Sequence, residues 1–130
     1  MIVYEDRWLT LRWDESLQAV WAQGSAYAEG PELRAGYDAI LALCRSKKNR
    51  RYIGDARNLA PISQSDQRWI NEEFMPQLIA AGVSFMAVVS PKASVARLSV
   101  RQVLSKVHDV HLVTAYFDGM EAARDWLQTV

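Results

Sequence analysis

Apolar and polar positions alternate with period two over residues 7–13, where Leu9, Leu11 and Trp13 share a face, and again over 17–21 through Leu17, Ala19 and Trp21. Asp14, Glu15 and Ser16 between the two runs make a polar turn, so the segment predicts an antiparallel hairpin. Trp8, Trp13 and Trp21 are residues that strands favour. Residues 24–30 are small and polar and read as a connector. Pro31 suits the first turn of a helix, where a missing N–H costs nothing. Leu33, Tyr37, Ile40, Leu41 and Cys44 then recur at helical spacing, which predicts a helix ending at Lys47.

The short run of residues 50–55 predicts a strand, followed by a loop through Pro61. Ser65 is placed to cap a helix whose buried stripe is Ile70, Phe74, Leu78 and Ala81, with Gly82 as its stop and a kink expected at Pro76. Residues 83–89 are continuously apolar, the pattern of a strand covered on both faces. Val95, Leu98, Val100, Val103, Leu104 and Val107 form a helical stripe, and residues 110–117 a final strand. Asp118 and Glu121 have the spacing of a capping box ahead of a closing helix carrying Ala122, Ala123, Trp126, Leu127 and Val130. The order predicts one α/β domain over residues 1–130. Its expected sheet is mixed and mostly parallel, with four to five strands, an N-terminal antiparallel hairpin and about four helices.

Half of the 130 residues are hydrophobic, enough for a core without staples. Fifteen Lys and Arg balance fifteen Asp and Glu, so no net field draws the chain to nucleic acid or to an anionic membrane. The single cysteine, Cys44, leaves no intramolecular disulfide and suits a reducing compartment. The N-terminus is acidic where a secretory signal is basic, and the longest apolar stretch, residues 78–89, is too short for a membrane span. These features predict a cytoplasmic protein with no integral membrane association.

Candidate chemistry is sparse. His108 and His111 sit three apart on the expected last strand, so their rings point to opposite faces and do not converge on a metal. Cys44 lies on an apolar stripe and reads as an inert buried thiol. The glycines form no phosphate loop, and no cofactor or catalytic residue is expected. Arg45, Lys47, Lys48, Arg50 and Arg51 form one basic cluster, read as helix-terminal and solvated charge rather than a nucleic-acid site. The most suggestive stretch leaves the third expected strand through Asp55 and Arg57 and reaches Ser63, Ser65 and Trp69 at the following helix. Ligands and partners of open α/β sheets collect beyond the carboxyl ends of strands. Two readings stand for these five residues: a partner- or ligand-binding edge, or structural caps and pairs, with Arg57 bound to Asp55 or to Glu72 and Ser65 simply capping the helix.

The tryptophan-rich hairpin, "YIGDARNL", "ISQSDQRWINEEFMPQLIAAG", "FMAVV" and the closing "FDGMEAARDWL" together resemble STAS-like proteins of SpoIIAA-like fold, relatives of anti-sigma-factor antagonists. The resemblance spans nearly the whole chain and is carried most by Asp55, Arg57, Asp66, Trp69, Pro76, Phe117, Asp118, Trp126 and Leu127. It implies a non-enzymatic binding or regulatory domain that acts through a protein partner and self-associates as a homodimer. In the antagonists a serine at the start of the corresponding helix is phosphorylated, and Ser63 and Ser65 occupy that region. The antagonists' Asp-Ser-Ser/Thr-Gly run is replaced here by "SQSDQ". The wider fold also includes carriers of lipids and small apolar ligands, which is the alternative expectation. Five tryptophans, three on the hairpin, add an expectation of exposed apolar surface and hence of a dimer.

Overall fold

In the computed structural model, which describes residues 1–107 and 109–130, six strands lie side by side in the order in which the chain makes them. β1 (Ile2–Glu5), β2 (Leu9–Asp14) and β3 (Ala19–Ala26) pair antiparallel. β4 (Arg51–Leu59), β5 (Phe85–Val89) and β6 (Val113–Phe117) continue the sheet in parallel from β3. The helices are α1 (Gly30–Lys47), α2 (Gln64–Trp69), α3 (Met75–Ala80), α4 (Ser94–Leu104) and α5 (Met120–Gln128). A π-helical turn, Ile70–Phe74, makes α2 and α3 one continuous rod.

Every parallel crossover advances the sheet one strand in the same direction. Right-handed crossovers that all step one way place their helices on one face, and α1, α2–α3 and α4 accordingly share a layer. The larger core fills the space beneath them: Leu9, Leu11 and Trp13 of β2, Val20 of β3, Tyr52 of β4 and Met86 and Val88 of β5 meet Leu33, Ile40, Phe74, Leu78 and Val103. On the opposite face Ala19, Ile53, Ala87 and Val89 pack on Ala123 and Leu127 of α5, the only helix on that side among the described residues. Neighbours along β4 and β5 thus go to opposite cores, and β5 is apolar throughout because both its faces are covered. Arg51 holds α5 by donating to the carbonyls of Leu127 (3.1 Å) and Val130 at the helix C-terminus, where a cation is favoured.

Several expectations are corrected. The sheet has six strands rather than four or five, because β1, whose Ile2 and Val3 are both exposed, carries no alternation to read. β4 runs on to Leu59, so Arg57 stands on a strand with Asp55 and not in a loop; β3 likewise reaches Ala26. β6 starts at Val113, which leaves His111 in the preceding turn, its ring 3.0 Å from Asp109; His108 lies outside the described residues. The N-cap of α2 is Ser63, not Ser65, and Gly119 precedes α5 with no side-chain cap, so Asp118 and Glu121 form no capping box. The distortion expected at Pro76 falls in the turn before it. There the Met75 N–H reaches Ile70 O five residues back, and widening the ladder accommodates a ring that crowds the carbonyl four residues earlier in a regular helix. The tryptophans are not surplus surface: Trp8 and Trp13 are buried, while Trp21, Trp69 and Trp126 are half-buried.

Gly36 marks the tightest approach of helix to sheet. A Cβ there would come within 2.4 Å of Trp8 Cζ2, whose ring is pinned by Nε1–H donating to Glu32 O at 3.2 Å. Gly36→Ala therefore forces Trp8 out of its slot, and an equilibrium urea melt is expected to show a loss of about 1–3 kcal/mol.

Candidate functional site

The five residues of the expected binding edge do not form one site. Asp55 points with Trp21 and Ile53 to the α5 side of the sheet, whereas Ser63, Ser65 and Trp69 belong to the helix layer on the other side. Asp55 is buried and fully engaged. Arg57 grips it with Nε–H to Oδ1 at 2.9 Å and Nη2–H to Oδ2 at 2.8 Å, and Trp21 Nε1–H donates to Oδ2 at 3.2 Å. Residues two apart on one strand share a face, which is why this pair can close at all. Arg57 thus pairs with Asp55 and not with Glu72.

Ser63 is occupied as well. Its Oγ accepts from the Asp66 N–H at 3.2 Å and donates to Asp66 Oδ2 at 2.7 Å. The Asp66 carboxylate, 1 % exposed, also accepts from the Gly30 N–H at 3.1 Å, so one buried side chain ties the starts of α1 and α2 together. Gly30 has φ +57°, a left-handed conformation that glycine adopts without strain. Ser65 is exposed beside this cap, 3.4 Å from Ser63 Oγ. Trp69 packs edge-on against Tyr37, ring centres 6.0 Å apart, and the Arg34 guanidinium lies over its ring at 5.4 Å.

The basic cluster also dissolves into separate contacts. Arg51 binds the end of α5, Arg50 lies over Phe85 at 5.4 Å, Lys47 lies over Trp13 at 4.9 Å, and Arg45 donates to Gln77 at 2.9 Å. Cys44 is buried, and burial pushes its thiol pKa up to about 12, out of the range of a nucleophile at neutral pH. Among the described residues no group of three His, Cys, Asp or Glu side chains is placed to hold a metal ion, and no helix is long and apolar enough to cross a membrane.

What sequence reasoning missed is a cavity of about 90 Å³ inside the helix-side core. Its floor is the middle of the sheet, where Ala22 of β3 and Gly54 of β4 lie opposite each other in register, flanked by Val88. The walls come from α1 (Tyr37, Ile40), the π-helical turn (Ile70, Phe74) and α4 (Val100, Val103). The void stands over Gly54: a Cβ built there meets only Tyr52 Cε1, at an ordinary 3.4 Å, whereas Gly24 nearby is already filled by Leu59 and Trp8. Such a volume is several times the roughly 10–15 Å³ that one water occupies. The signal was a glycine inside an apolar strand, which marks either a bulge or room left for something else.

Tyrosines also border this apolar space: Tyr37, half-buried, and Tyr52, buried, both line it. Burial raises both phenols well above their ordinary pKa; the Asp66 charge adds to the effect at Tyr37, and Tyr37 and Cys44 add to it at Tyr52. The hydroxyls therefore stay protonated across the physiological range, able to donate. Tyr37 is held by aromatic contacts to Trp8, Trp69 and Phe74 at 5.8, 6.0 and 4.5 Å between ring centres.

No protein-family model matches the chain, and neither the curated proteins nor the solved structures contain a significant match.

The hydrogen bonds separate structural serines from free ones. Ser63→Ala removes the cap and a partner of buried Asp66, with an expected cost of about 1–2 kcal/mol, while Ser65→Ala is expected to stay within about 0.5 kcal/mol; chemical denaturation of the two variants side by side checks both. The buried phenols set the alkaline limit. Their folded pKa lies above the unfolded value of 10.0, so the stability they contribute is complete below pH 10 and is lost as pH rises beyond it, where the unfolded chain ionises first. Melts from pH 8 to 11.5 are expected to show a decline that Tyr37→Phe and Tyr52→Phe reduce.

Proposed function

We propose that this domain is a non-enzymatic binding module, a carrier or sensor that encloses a compact apolar ligand between its sheet and its helix layer. The observation that carries this reading is the cavity over Gly54, apolar on nearly every side and bounded by a helix in which the regular ladder widens to a π turn. Ligand pockets have this character: mostly apolar walls with a few placed polar groups, and π turns are frequent where a helix borders a functional site. The STAS-like, SpoIIAA-like resemblance is compatible with it, since carriers of apolar molecules occur in the wider fold. Cys44, buried and unreactive, suits a reducing cytoplasm.

A protein partner, a second copy of the chain included, is the second reading. Val95 and Leu98 favour it: they stand exposed one turn apart on α4, whose inner face forms a wall of the cavity. On this reading a regulatory domain of the antagonist type presents α4 to its partner, with exposed Ser65 as the modifiable hydroxyl.

The ligand reading is tested by thermal shift and calorimetry with toluene and cyclohexanone as probes. A probe at a hundred times its dissociation constant is expected to stabilise the native protein by about 2.7 kcal/mol. Gly54→Val and Ala22→Val, which fill the floor, are expected to remain folded and to lose the shift. Equal binding by the filled variants, or no binding by the native protein, refutes the proposal.

A further inference from the structure

We infer that β6 is a self-association edge: its outer side pairs antiparallel with β6 of a second copy about a two-fold axis at Ala115, joining two sheets into one. The inference is independent of the cavity. It rests on the protein-partner reading and names the partner, a second copy of this chain, and the surface that meets it.

A sheet edge presents unpaired N–H and C=O groups, and proteins blunt such edges with charge, proline or a bulge. The β1 edge is blunted: its register against β2 slips between Ile2 and Tyr4, and it ends on Glu5. β6, the other edge, reads Val-Thr-Ala-Tyr-Phe with no charge and no proline, and its register against β5 is unbroken. The Val113 N–H donates to Ser84 O at 2.8 Å, and Phe117 O accepts from the Ser90 N–H at 2.9 Å. The backbone groups of Val113, Ala115 and Phe117 therefore turn toward β5. By the alternation of a strand those of Thr114 and Tyr116 point outward, and among the described residues nothing bonds them.

A second copy satisfies them. Antiparallel pairing centred on Ala115 sets Thr114 opposite Tyr116 of the second copy as a pair exchanging both N–H···O bonds, and symmetry repeats the pair on the other side of the axis. The side chains match in the same register. Thr114 meets Tyr116 on the helix-layer side and Val113 meets Phe117 on the α5 side, so β-branched residues stand opposite aromatic ones throughout, a favoured cross-strand combination. Val113 and Tyr116 are both exposed in the single chain, and the Arg101 guanidinium of α4 lies over the Tyr116 ring at 4.2 Å. An axis normal to the sheet keeps both helix layers on one side and brings the exposed Leu98, one turn before Arg101, toward its counterpart. A strand of another protein supplies the backbone bonds without this symmetrical match of side chains.

Sedimentation equilibrium of the full chain is expected to show a dimer forming between about 1 and about 100 µM, with the Thr114 and Tyr116 amides exchanging more slowly as it forms. Thr114→Pro deletes an outward N–H and no bond to β5, and Val113→Lys places a charge beside Phe117 of the second copy. Each is expected to stay folded and to weaken the dimer about tenfold or more. The register is read by cross-linking. Ala115 and its counterpart form a non-hydrogen-bonded pair with Cα atoms about 4.5 Å apart, within disulfide range, so Ala115→Cys is expected to give a disulfide-linked dimer under oxidised glutathione. Val113→Cys, about 13 Å along the strand from its own counterpart, is expected to give none. This comparison still decides where an edge variant fails to fold. A monomer up to about 100 µM overturns the inference and the second-copy form of the partner reading. A dimer that keeps its mass in Thr114→Pro and Val113→Lys and does not cross-link through Ala115→Cys overturns the inference alone, because the copies then meet through another surface.

Discussion

The handedness of the crossovers governs how this chain distributes its apolar residues. Because each parallel connection steps outward by one strand, α1, α2–α3 and α4 are confined to one side, and the opposite side depends on whatever the chain makes last. That segment is α5, short and held by Ala123, Leu127 and the grip of Arg51 on its final carbonyls. Among the described residues, three helical segments cover one face and one covers the other, so the two cores differ in extent. The smaller core is closed with small residues such as Ala19 and Ala87. In the larger one, large side chains fill the space over Gly24 but not that over Gly54.

Buried carboxylates fasten this arrangement. Asp66 joins the beginnings of two helices through Ser63 and the Gly30 N–H, and Asp55 closes β4 onto Arg57 and Trp21. A buried carboxylate with every lone pair engaged restricts geometry more than it adds net stability, and its loss of a partner is far more costly than its replacement as a whole. Charged residues that look like functional groups in a loop are, in these two cases, the fixtures of the scaffold.

How much of this was legible follows from what each element asks of its residues. The hairpin, α1, β5 and α5 could be read because burial on one face, or on both, imprints a period. β1 could not, since its side chains are exposed, and the length of β4 was hidden because Arg57 and Asn58 resemble loop residues until the salt bridge pairs Arg57 with Asp55. The π turn was visible only as Pro76, the residue that requires it, one turn away from where the ladder opens. The distinction between Ser63 and Ser65 as cap depended on where Asp66 finds the Gly30 N–H, a contact between residues 36 apart in the chain. The cavity was least legible, because it is defined by side chains that are absent: Ala22 and Gly54 coincide only once β3 and β4 are paired in register.

A void of this size is a cost that a stable fold alone does not require. At about 24 cal/mol per Å³, the cavity of about 90 Å³ forfeits about 2 kcal/mol. That is a substantial share of the roughly 5–15 kcal/mol by which a domain is stable. A β-branched residue at position 54 would suit a strand and occupy the space. The chain instead combines a missing side chain on the floor with a widened helical turn beside it, the two features on which the proposed ligand site rests.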